Sequence, residues 1–310
     1  MVEMSIVESE YIWMNGSFIK WQEAKVHILT HALHYGSGVF EGIRCYNTER
    51  GPAVFRLHDH MTRLYKSAKH YLMNIPFSNE ELCEVIVKLI RKNKLGECYI
   101  RPLVYRGYGE MGLNPLKNPV DVAITVWPWG LYLGKESLEK GARVKTSSFE
   151  RISKKALPVK AKACGQYINS ILAKIDALNN GYDECIMLDY QGHVSEGAAE
   201  NIFLVKNNIL TTPHDESGII LGITRDSILT ISKNLGYVTK KLPVNEEMLY
   251  SADETFFTGT AAEIVPIREI NNRKIGEGKP GPITLQLCRE YGNITNAKNP
   301  TYETWLTYVK

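Results

Sequence analysis

The chain has 310 residues, 44% hydrophobic and 23% charged, with a net charge of +3, the profile of a globular protein long enough for two domains. So small a charge argues against a nucleic-acid or membrane partner, and no apolar run approaches the ~20 residues needed to cross a bilayer. The acidic start, Met1 to Glu10, has no basic stretch before an apolar core, so no secretory signal is expected; the six cysteines (Cys45, Cys83, Cys98, Cys164, Cys185, Cys288) contain no Cys-x-x-Cys pair and read as reduced thiols of a cytoplasmic protein.

In chain order, Asn15-Gly16 between Ile12-Trp13-Met14 and Phe18-Ile19 reads as a hairpin. Val39 to Tyr46 and Ala53 to Leu57 read as strands, and His58 to Leu72 as a helix with Leu64, Ala68 and Leu72 on one face. Ser78-Asn79-Glu80-Glu81 is a capping box opening a helix to about Lys94. Strands follow at Cys98 to Tyr105 and Val120 to Trp127. Trp127-Pro128-Trp129-Gly130 then breaks the pattern, and 128–139 reads as a linker. Beyond it come a strand at Val144 to Ser148 and a helix after Lys162 with Ile168, Ile171, Leu172, Ile175 and Leu178 inward, ended by Asn179-Asn180-Gly181. Strands at Glu184 to Leu188, Asn201 to Val205 and Glu254 to Thr258 alternate with a helix capped by Thr224 and another over Pro282 to Tyr291. The class is α+β in two parts: a small N-terminal domain (1–127), the linker (128–139) and a larger domain (140–310).

Several stretches carry chemical groups, each with a plain structural reading beside it. Lys162 lies among small residues just before a helix, where its backbone can be held and its ammonium left available. That suits a Schiff-base lysine, although Lys154, Lys155 and Lys160 make the region look equally like a polar loop. Gly107-x-Gly109-x-x-Gly112 matches a dinucleotide fingerprint but runs into Leu113-Asn114-Pro115, so it reads as a loop. His27, His31 and His34 would line up as metal ligands on a helix, yet no ligand carboxylate accompanies them and no metal is expected. Gly222-Ile223-Thr224-Arg225 and Gly259-Thr260-Ala261-Ala262 are turns with N–H groups able to bind anions. Arg63, on the polar side of its helix, gains meaning only if a phosphate is bound. Glu196 and Glu200 are either solvated loop residues or, for one of them, a carboxylate set against a heterocyclic nitrogen. A lysine, a tyrosine five residues on, a carboxylate, an arginine and two anion-binding turns together match what pyridoxal phosphate requires.

With these residues in view, the chain resembles the class IV (fold type IV) pyridoxal-phosphate aminotransferases, and within them the branched-chain amino acid aminotransferases. The resemblance runs through His31 to Gly36, Val39 to Arg44, Tyr99 to Leu103, Met111 to Pro115, Lys162 with Tyr167, Glu196-x-Ala198-x-x-Asn201-Ile202-Phe203, Gly222 to Asp226 and Gly259 to Glu263. It implies that Lys162 holds the cofactor covalently and serves as the general base. Tyr167 would bond the ring's phenolic oxygen, Glu196 the pyridine nitrogen, and Leu221 would pack on the ring. Arg63, Gly222, Ile223, Thr224 and Thr260 would hold the phosphate. Thr260 and Ala261 N–H groups with Tyr99 would take the substrate's α-carboxylate. Phe40, Trp129 and Tyr132 would wall the pocket, and Arg101 would meet the distal carboxylate of glutamate. Tyr35 and Leu113 would reach a neighbouring subunit's site in a homodimer or larger homo-oligomer. Cys164, Gln166 and Ala199 stand where the family often has Gly, Asn and Gly, which puts fine specificity rather than the reaction in question.

The reaction so implied is ping-pong transfer of the amino group of L-leucine, L-isoleucine or L-valine to 2-oxoglutarate, in branched-chain amino acid synthesis or breakdown. Aminodeoxychorismate lyase and D-amino acid aminotransferase, on the same fold, are the alternatives. A non-catalytic cofactor-binding protein is a more distant one.

Overall fold

The computed structural model describes residues 6–130 and 139–310. They form two compact units: 6–130 with Ala161–Gly165 and Asn293–Lys310, and 139–160 with Gln166–Gly292. The stretch expected as a linker falls mostly on 131–138, outside the described residues. The lysine segment and the C-terminus, which the sequence alone places in the later region, group with the first unit.

In the first unit Asn15 and Gly16 take φ of 46° and 96°, the two left-handed positions of a type I′ turn. They join β1 (Tyr11–Met14) to β2 (Ser17–Lys20) in the expected hairpin. The single strand expected over Val39 to Tyr46 is two: β3 (Gly38–Phe40) and β4 (Ile43–Thr48). β4 turns back into β5 (Gly51–Phe55), and β6 (Cys98–Arg106) pairs with β3, β4 and β7 (Val120–Trp127). The break at Glu41-Gly42 faces Pro102 of β6, whose carbonyl accepts the Glu41 N–H at 2.9 Å. Proline has no N–H to return, so the ladder cannot continue there. Among the described residues this sheet has eight strands, with the C-terminal strand Leu306–Tyr308 on β5.

The helices of this unit are α1 (His31–Tyr35), α2 (Leu57–His70) and α3 (Asn79–Lys92). The capping box of α3 is formed: Ser78 Oγ accepts the Glu81 N–H at 3.2 Å and Glu81 Oε2 accepts the Ser78 N–H at 2.7 Å. Met61, Leu64 and Ala68 of α2 and Leu82, Ile86 and Leu89 of α3 are buried with Ile43, Ile100, Val104 and Ile124 of the sheet in one core. α1 is too short to carry His27, so the three histidines do not line up. The His31 ring bonds Ser37 Oγ (2.6 Å) and the Gly112 carbonyl (2.8 Å), and His34 Nε2 bonds the Ile28 carbonyl (2.9 Å). Gly107, Gly109 and Gly112 lie in the β6–β7 loop, and no helix follows them.

The second unit carries, among the described residues, a nine-stranded mixed sheet. Its strands are β8 (Ala142–Thr146), β9 (Glu184–Leu188), β10 (Val194–Gly197), β11 (Asn201–Lys206), β12 (Ile209–Pro213), β13 (Val238–Leu242), β14 (Glu254–Gly259), β15 (Glu263–Ile270) and β16 (Arg273–Lys274). They run in the order β10-β9-β8-β15-β14-β11-β12-β13, with β16 on β15. Among the described residues beyond 140 its α-helices are α4 (Tyr167–Asn179), α5 (Ile223–Asn234), α6 (Glu246–Tyr250) and α7 (Pro282–Thr295).

Two expectations reverse here. The aliphatic stripe of α4 faces outward: Ile168, Ile171, Leu172, Ile175 and Leu178 are between 42% and 61% exposed. The inward face is Ser170, Ala173 and Ala177. Two alanines four apart let the helix lie close to β9, where they pack with Tyr182, Cys185 and Met187. Periodicity marks an apolar stripe without saying what covers it. Thr224 is not the cap of α5; Gly222 is, and Thr224 is the second helical residue. A Cβ on Gly222 would lie 2.0 Å from Asn201 Oδ1, so only glycine fits that entry.

α7 starts without a cap from its own preceding residues. Glu254 of β14 accepts the Ile283 N–H (3.0 Å), the Thr284 N–H (2.7 Å) and the Thr284 hydroxyl (2.6 Å). Gly281 passes so close to that carboxylate that a Cβ would lie 2.1 Å from its Cδ.

Candidate active site

Lys162 is held by its backbone. Its N–H donates to Ser67 Oγ of α2 at 3.0 Å, its carbonyl accepts the Phe40 N–H at 3.0 Å, and Ala163 bridges Val39 of β3. Gly165 donates to the Gly36 carbonyl at 3.1 Å, and Gly36 has φ 64° with its Cα side so near that a Cβ would meet Gly165 Cα at 2.7 Å. The Lys162 ammonium sits 5.1 Å from the centre of the Phe40 ring. Lys160 is taken elsewhere: it is exposed and pairs with Glu216, as Lys154 does.

Next to Phe40, Glu41 is fully buried and accepts from Arg63 Nε (2.7 Å), Arg63 Nη2 (2.8 Å) and His60 Nδ1 (2.8 Å). Burial opposes its charge, but the charge and hydrogen bonds of Arg63, with those of His60, outweigh it and hold the carboxyl below the usual range. Burial pushes the His60 imidazole down. Arg63 is therefore no surface arginine; its side chain is 13% exposed and aimed by Glu41. Sequence reasoning missed Glu41 and His60. The three-residue spacing of His60 and Arg63, which puts both on one face of a helix, was the available signal.

Three aromatic rings of this unit surround Arg101. Its guanidinium lies 4.9 Å from the Phe40 ring centre, 5.4 Å from Tyr99 and 5.9 Å from Trp127. Tyr99 stacks on Trp129 at 4.4 Å, and Trp127 joins them at 5.3 Å from Tyr99. Arg101 Nε and Trp129 Nε1 are buried and have no hydrogen-bond partner among the described residues. Gly42 makes room for this group, since a Cβ there would meet Tyr99 Oη at 2.0 Å. The sequence alone marks Trp127 as a strand end and the start of the break at 127–130, not as part of this group. Tyr35 and Leu113 are exposed, and Tyr132 lies outside the described residues.

In the second unit Glu196 lies on β10 rather than in a loop, at a register shift against β9. It is 5% exposed. Its Oε1 accepts Arg151 Nε at 2.9 Å, and its Oε2 accepts Asn201 Nδ2 at 3.1 Å and the Ile220 N–H at 2.9 Å. Asn201 also donates to the Ile220 carbonyl at 2.9 Å, so one amide ties the carboxylate to the loop that enters α5. Gly222, Ile223 and Thr224 open that helix with no side-chain cap, and Leu221 precedes them half-exposed. Tyr167 heads α4, and Thr260 and Ala261 form the turn between β14 and β15.

Glu200 is buried as well, filling space beside Gly197 and Gly259. Burial, reinforced by the charge of Glu184 and opposed by Lys174, pushes its carboxyl up to about 8.

The amino-transferase class IV family profile matches residues 38–270. The chain belongs to the class IV aminotransferases. It is 44% identical over 307 residues, 99% of each chain, to the branched-chain-amino-acid aminotransferase of Escherichia coli (strain K12). Two structures of the T.th. branched-chain amino acid aminotransferase, complexed with N-(5'-phosphopyridoxyl)-L-glutamate and with 4-methylvaleric acid, each superpose with a TM-score of 0.94 at 46% identity, covering 98% of this chain and 100% of theirs. The mixed helix-and-sheet architecture is that of the class IV fold.

A carboxyl raised by burial makes stability depend on pH. Between the unfolded value of ~4.3 and the folded value, the unfolded chain loses the Glu200 proton while the folded chain keeps it, so this contribution falls as pH rises. Glu200→Gln abolishes that dependence. The stability of the variant relative to the parent should rise from pH 5 to pH 8 by up to about 1.4 kcal/mol per pH unit, read by chemical denaturation. A difference that stays flat across this range would show the carboxyl already ionised in the fold.

Proposed function

We propose that the chain is a pyridoxal-phosphate-dependent transaminase that moves the amino group of L-leucine, L-isoleucine and L-valine to 2-oxoglutarate in a ping-pong sequence. The observation that carries this reading is Arg101, a cation ringed by Phe40, Tyr99 and Trp127 with its Nε buried and unpaired among the described residues. Ring walls suit a branched aliphatic side chain, and the enclosed guanidinium suits the distal carboxylate of glutamate. The T.th. enzyme, solved with a phosphopyridoxyl-glutamate and with 4-methylvaleric acid, takes both chemistries. Each methylene is worth only ~1–3 kcal/mol of discrimination, so an apolar pocket accepts the three branched side chains together.

The donors present fit the cofactor. Lys162 offers a primary amine on a fixed backbone, and Arg63 offers a cation aimed by Glu41. The first turn of α5, uncapped by any side chain, offers Ile223 and Thr224 N–H groups to a phosphate, which Thr260 also meets. Glu196 would meet the pyridine nitrogen, Tyr167 would donate to the ring oxygen, and Leu221 would pack on the ring. Pyridoxal phosphate, when bound, supplies an electron sink for charge developing at the amino acid's Cα. Lys162 Nζ is the general base that moves the Cα proton, and Glu196 keeps the pyridine nitrogen protonated. Tyr99 and the N–H groups of Thr260 and Ala261 orient the α-carboxylate; Phe40, Trp129 and Tyr132 enclose the side chain.

The same reading makes the enzyme a cytoplasmic homodimer, or a larger homo-oligomer, in which Tyr35 and Leu113 complete the neighbouring subunit's site. Its support is an exposed apolar patch. Ile28, Leu33 and Tyr35 on one side and Tyr108, Leu113 and Leu116 on the other are all exposed, and their segments are joined by the Thr30–Tyr108 bridge. A patch of this kind marks a protein contact. The six cysteines are free thiols, as cytoplasmic chemistry requires.

Glutamate formed from 2-oxoglutarate with L-leucine, D-alanine or aminodeoxychorismate tests the reading. L-leucine should give glutamate; activity with another donor and none with L-leucine would overturn it. Lys162→Ala should abolish both glutamate formation and the visible absorption of the loaded enzyme, while Lys160→Ala should keep both. Arg101→Met should lower kcat/KM for 2-oxoglutarate roughly 10–100-fold, the worth of a hydrogen-bonded charge, and spare the leucine half-reaction; an equal loss on both would place Arg101 outside distal-carboxylate recognition. Sedimentation velocity should find the parent at least dimeric and Leu113→Asp shifted toward monomer with reduced activity. A fully active monomeric parent would remove the shared-site assignment.

A further inference from the structure

We propose that Arg151 is a positioning residue of the catalytic centre: its guanidinium fixes the Glu196 carboxylate in place and keeps it ionised for the cofactor's pyridine nitrogen. The inference rests on the reading that Glu196 serves that nitrogen.

The geometry carries it. The pair is closed off from solvent, with side-chain exposures of 2% for Arg151 and 7% for Glu196, and Nε stands 2.9 Å from Oε1. Arg151 gives Glu196 a charged donor beside two neutral ones, the Asn201 amide and the Ile220 N–H. Two further charged groups lie within electrostatic reach of Glu196: Arg225 from α5 and Glu200 from the β10–β11 turn. Arg225 is committed to Asp215 (3.0 Å), to Thr212 Oγ1 and to the Pro213 carbonyl. Glu200 is a like charge whenever it ionises. Arg151 is thus a cation in hydrogen-bond contact with Glu196.

Arg151 is itself anchored by main chain. Its N–H donates to the Leu188 carbonyl at the end of β9 (2.8 Å), and the next residue, Ile152, donates to Asn169 Oδ1 of α4 (3.0 Å). Its Nη1 is buried with no partner among the described residues, so the guanidinium's fit is to Glu196 rather than to a network of its own. A buried Arg–Glu pair adds little stability over an apolar pair of equal volume, but breaking it leaves a buried charge uncompensated. What it does here is hold a carboxylate, in a dry place, as a carboxylate. Without the cation, burial would drive Glu196 to take up a proton. It would then no longer favour the protonated pyridine nitrogen.

The test uses the intact chain loaded with pyridoxal phosphate, as Arg151→Gln, Arg151→Lys, Glu196→Gln and the double Arg151→Gln/Glu196→Gln variants. Arg151→Gln should lower kcat roughly 10–100-fold, in line with loss of a hydrogen bond to a charged group. KM for L-leucine should change little. The acidic limb of the kcat profile and the pH titration of the visible absorption should both move to higher pH. Arg151→Lys should return both to the parent position. In the Glu196→Gln background, Arg151→Gln should cause no further loss, because the two act as one unit. An acidic limb unmoved in Arg151→Gln, no recovery with lysine, or multiplicative losses in the double variant would each overturn the inference. If Glu196→Gln itself leaves the spectrum and kcat unchanged, the assignment of Glu196 falls, and that of Arg151 with it. One readout needs no Arg151 variant to fold: the infrared difference between the apo parent and apo Glu196→Gln. It should show an ionised carboxylate down to the lowest pH at which the fold persists; a protonated carbonyl band above pH ~6, well above the usual carboxyl range, would overturn the inference.

Discussion

A lysine whose amine must pass between bonding and proton transfer has to be located through its main chain. The first unit meets this constraint with backbone. Ser67 takes the Lys162 N–H, Phe40 gives its own N–H to the Lys162 carbonyl, and Ala163 extends the contact to β3. Each of these residues is placed by something else: Ser67 by α2, Phe40 by the ladder to β6, and the approach of Gly165 by a Gly36 that could carry no side chain. The break at Pro102 belongs to the same construction. It ends β3 just after Phe40 and frees Glu41 to turn into the interior, where it takes hold of Arg63.

Buried carboxylates are the second theme, and the chain treats them in three ways. Glu41 and Glu196 each meet an arginine and further donors. Glu254 receives two backbone N–H groups and a hydroxyl. Glu200 lies near Glu184 and Glu196 and holds its proton instead. A buried charge without partners is costly enough that each of these four acids has its own solution.

Local signals were the legible part. Asn15-Gly16 and the Ser78–Glu81 box each act over four residues or fewer, and both form as their sequences imply. The strand ends at Val120 to Trp127 and Glu184 to Leu188 were legible too, being bounded by turn residues. Information that lives in pairing across the chain was not. The aliphatic stripe of α4 was plain, but its outward direction depends on alanines meeting β9. Thr224 has the chemistry of a cap, yet the close approach of Asn201 makes Gly222 the entry to α5. Glu41 and Arg151 stand alone in sequence; His60 and Arg63 are about twenty residues from the one, and Glu196 is 45 from the other. Arg63 and Glu196 were identified as candidates by resemblance, while their partners needed coordinates.

The cap of α7 has a consequence for the order in which this chain can assemble. The carboxylate that satisfies its first turn comes from β14, 29 and 30 residues upstream of the N–H groups it receives, so the helix has no local nucleus at that end. An isolated helix of 14 residues is marginal in water. Formation of α7 is therefore conditional on β14 already standing in its sheet, and a damaged β14 should be felt first as fraying near Pro282 rather than as a loss of strands.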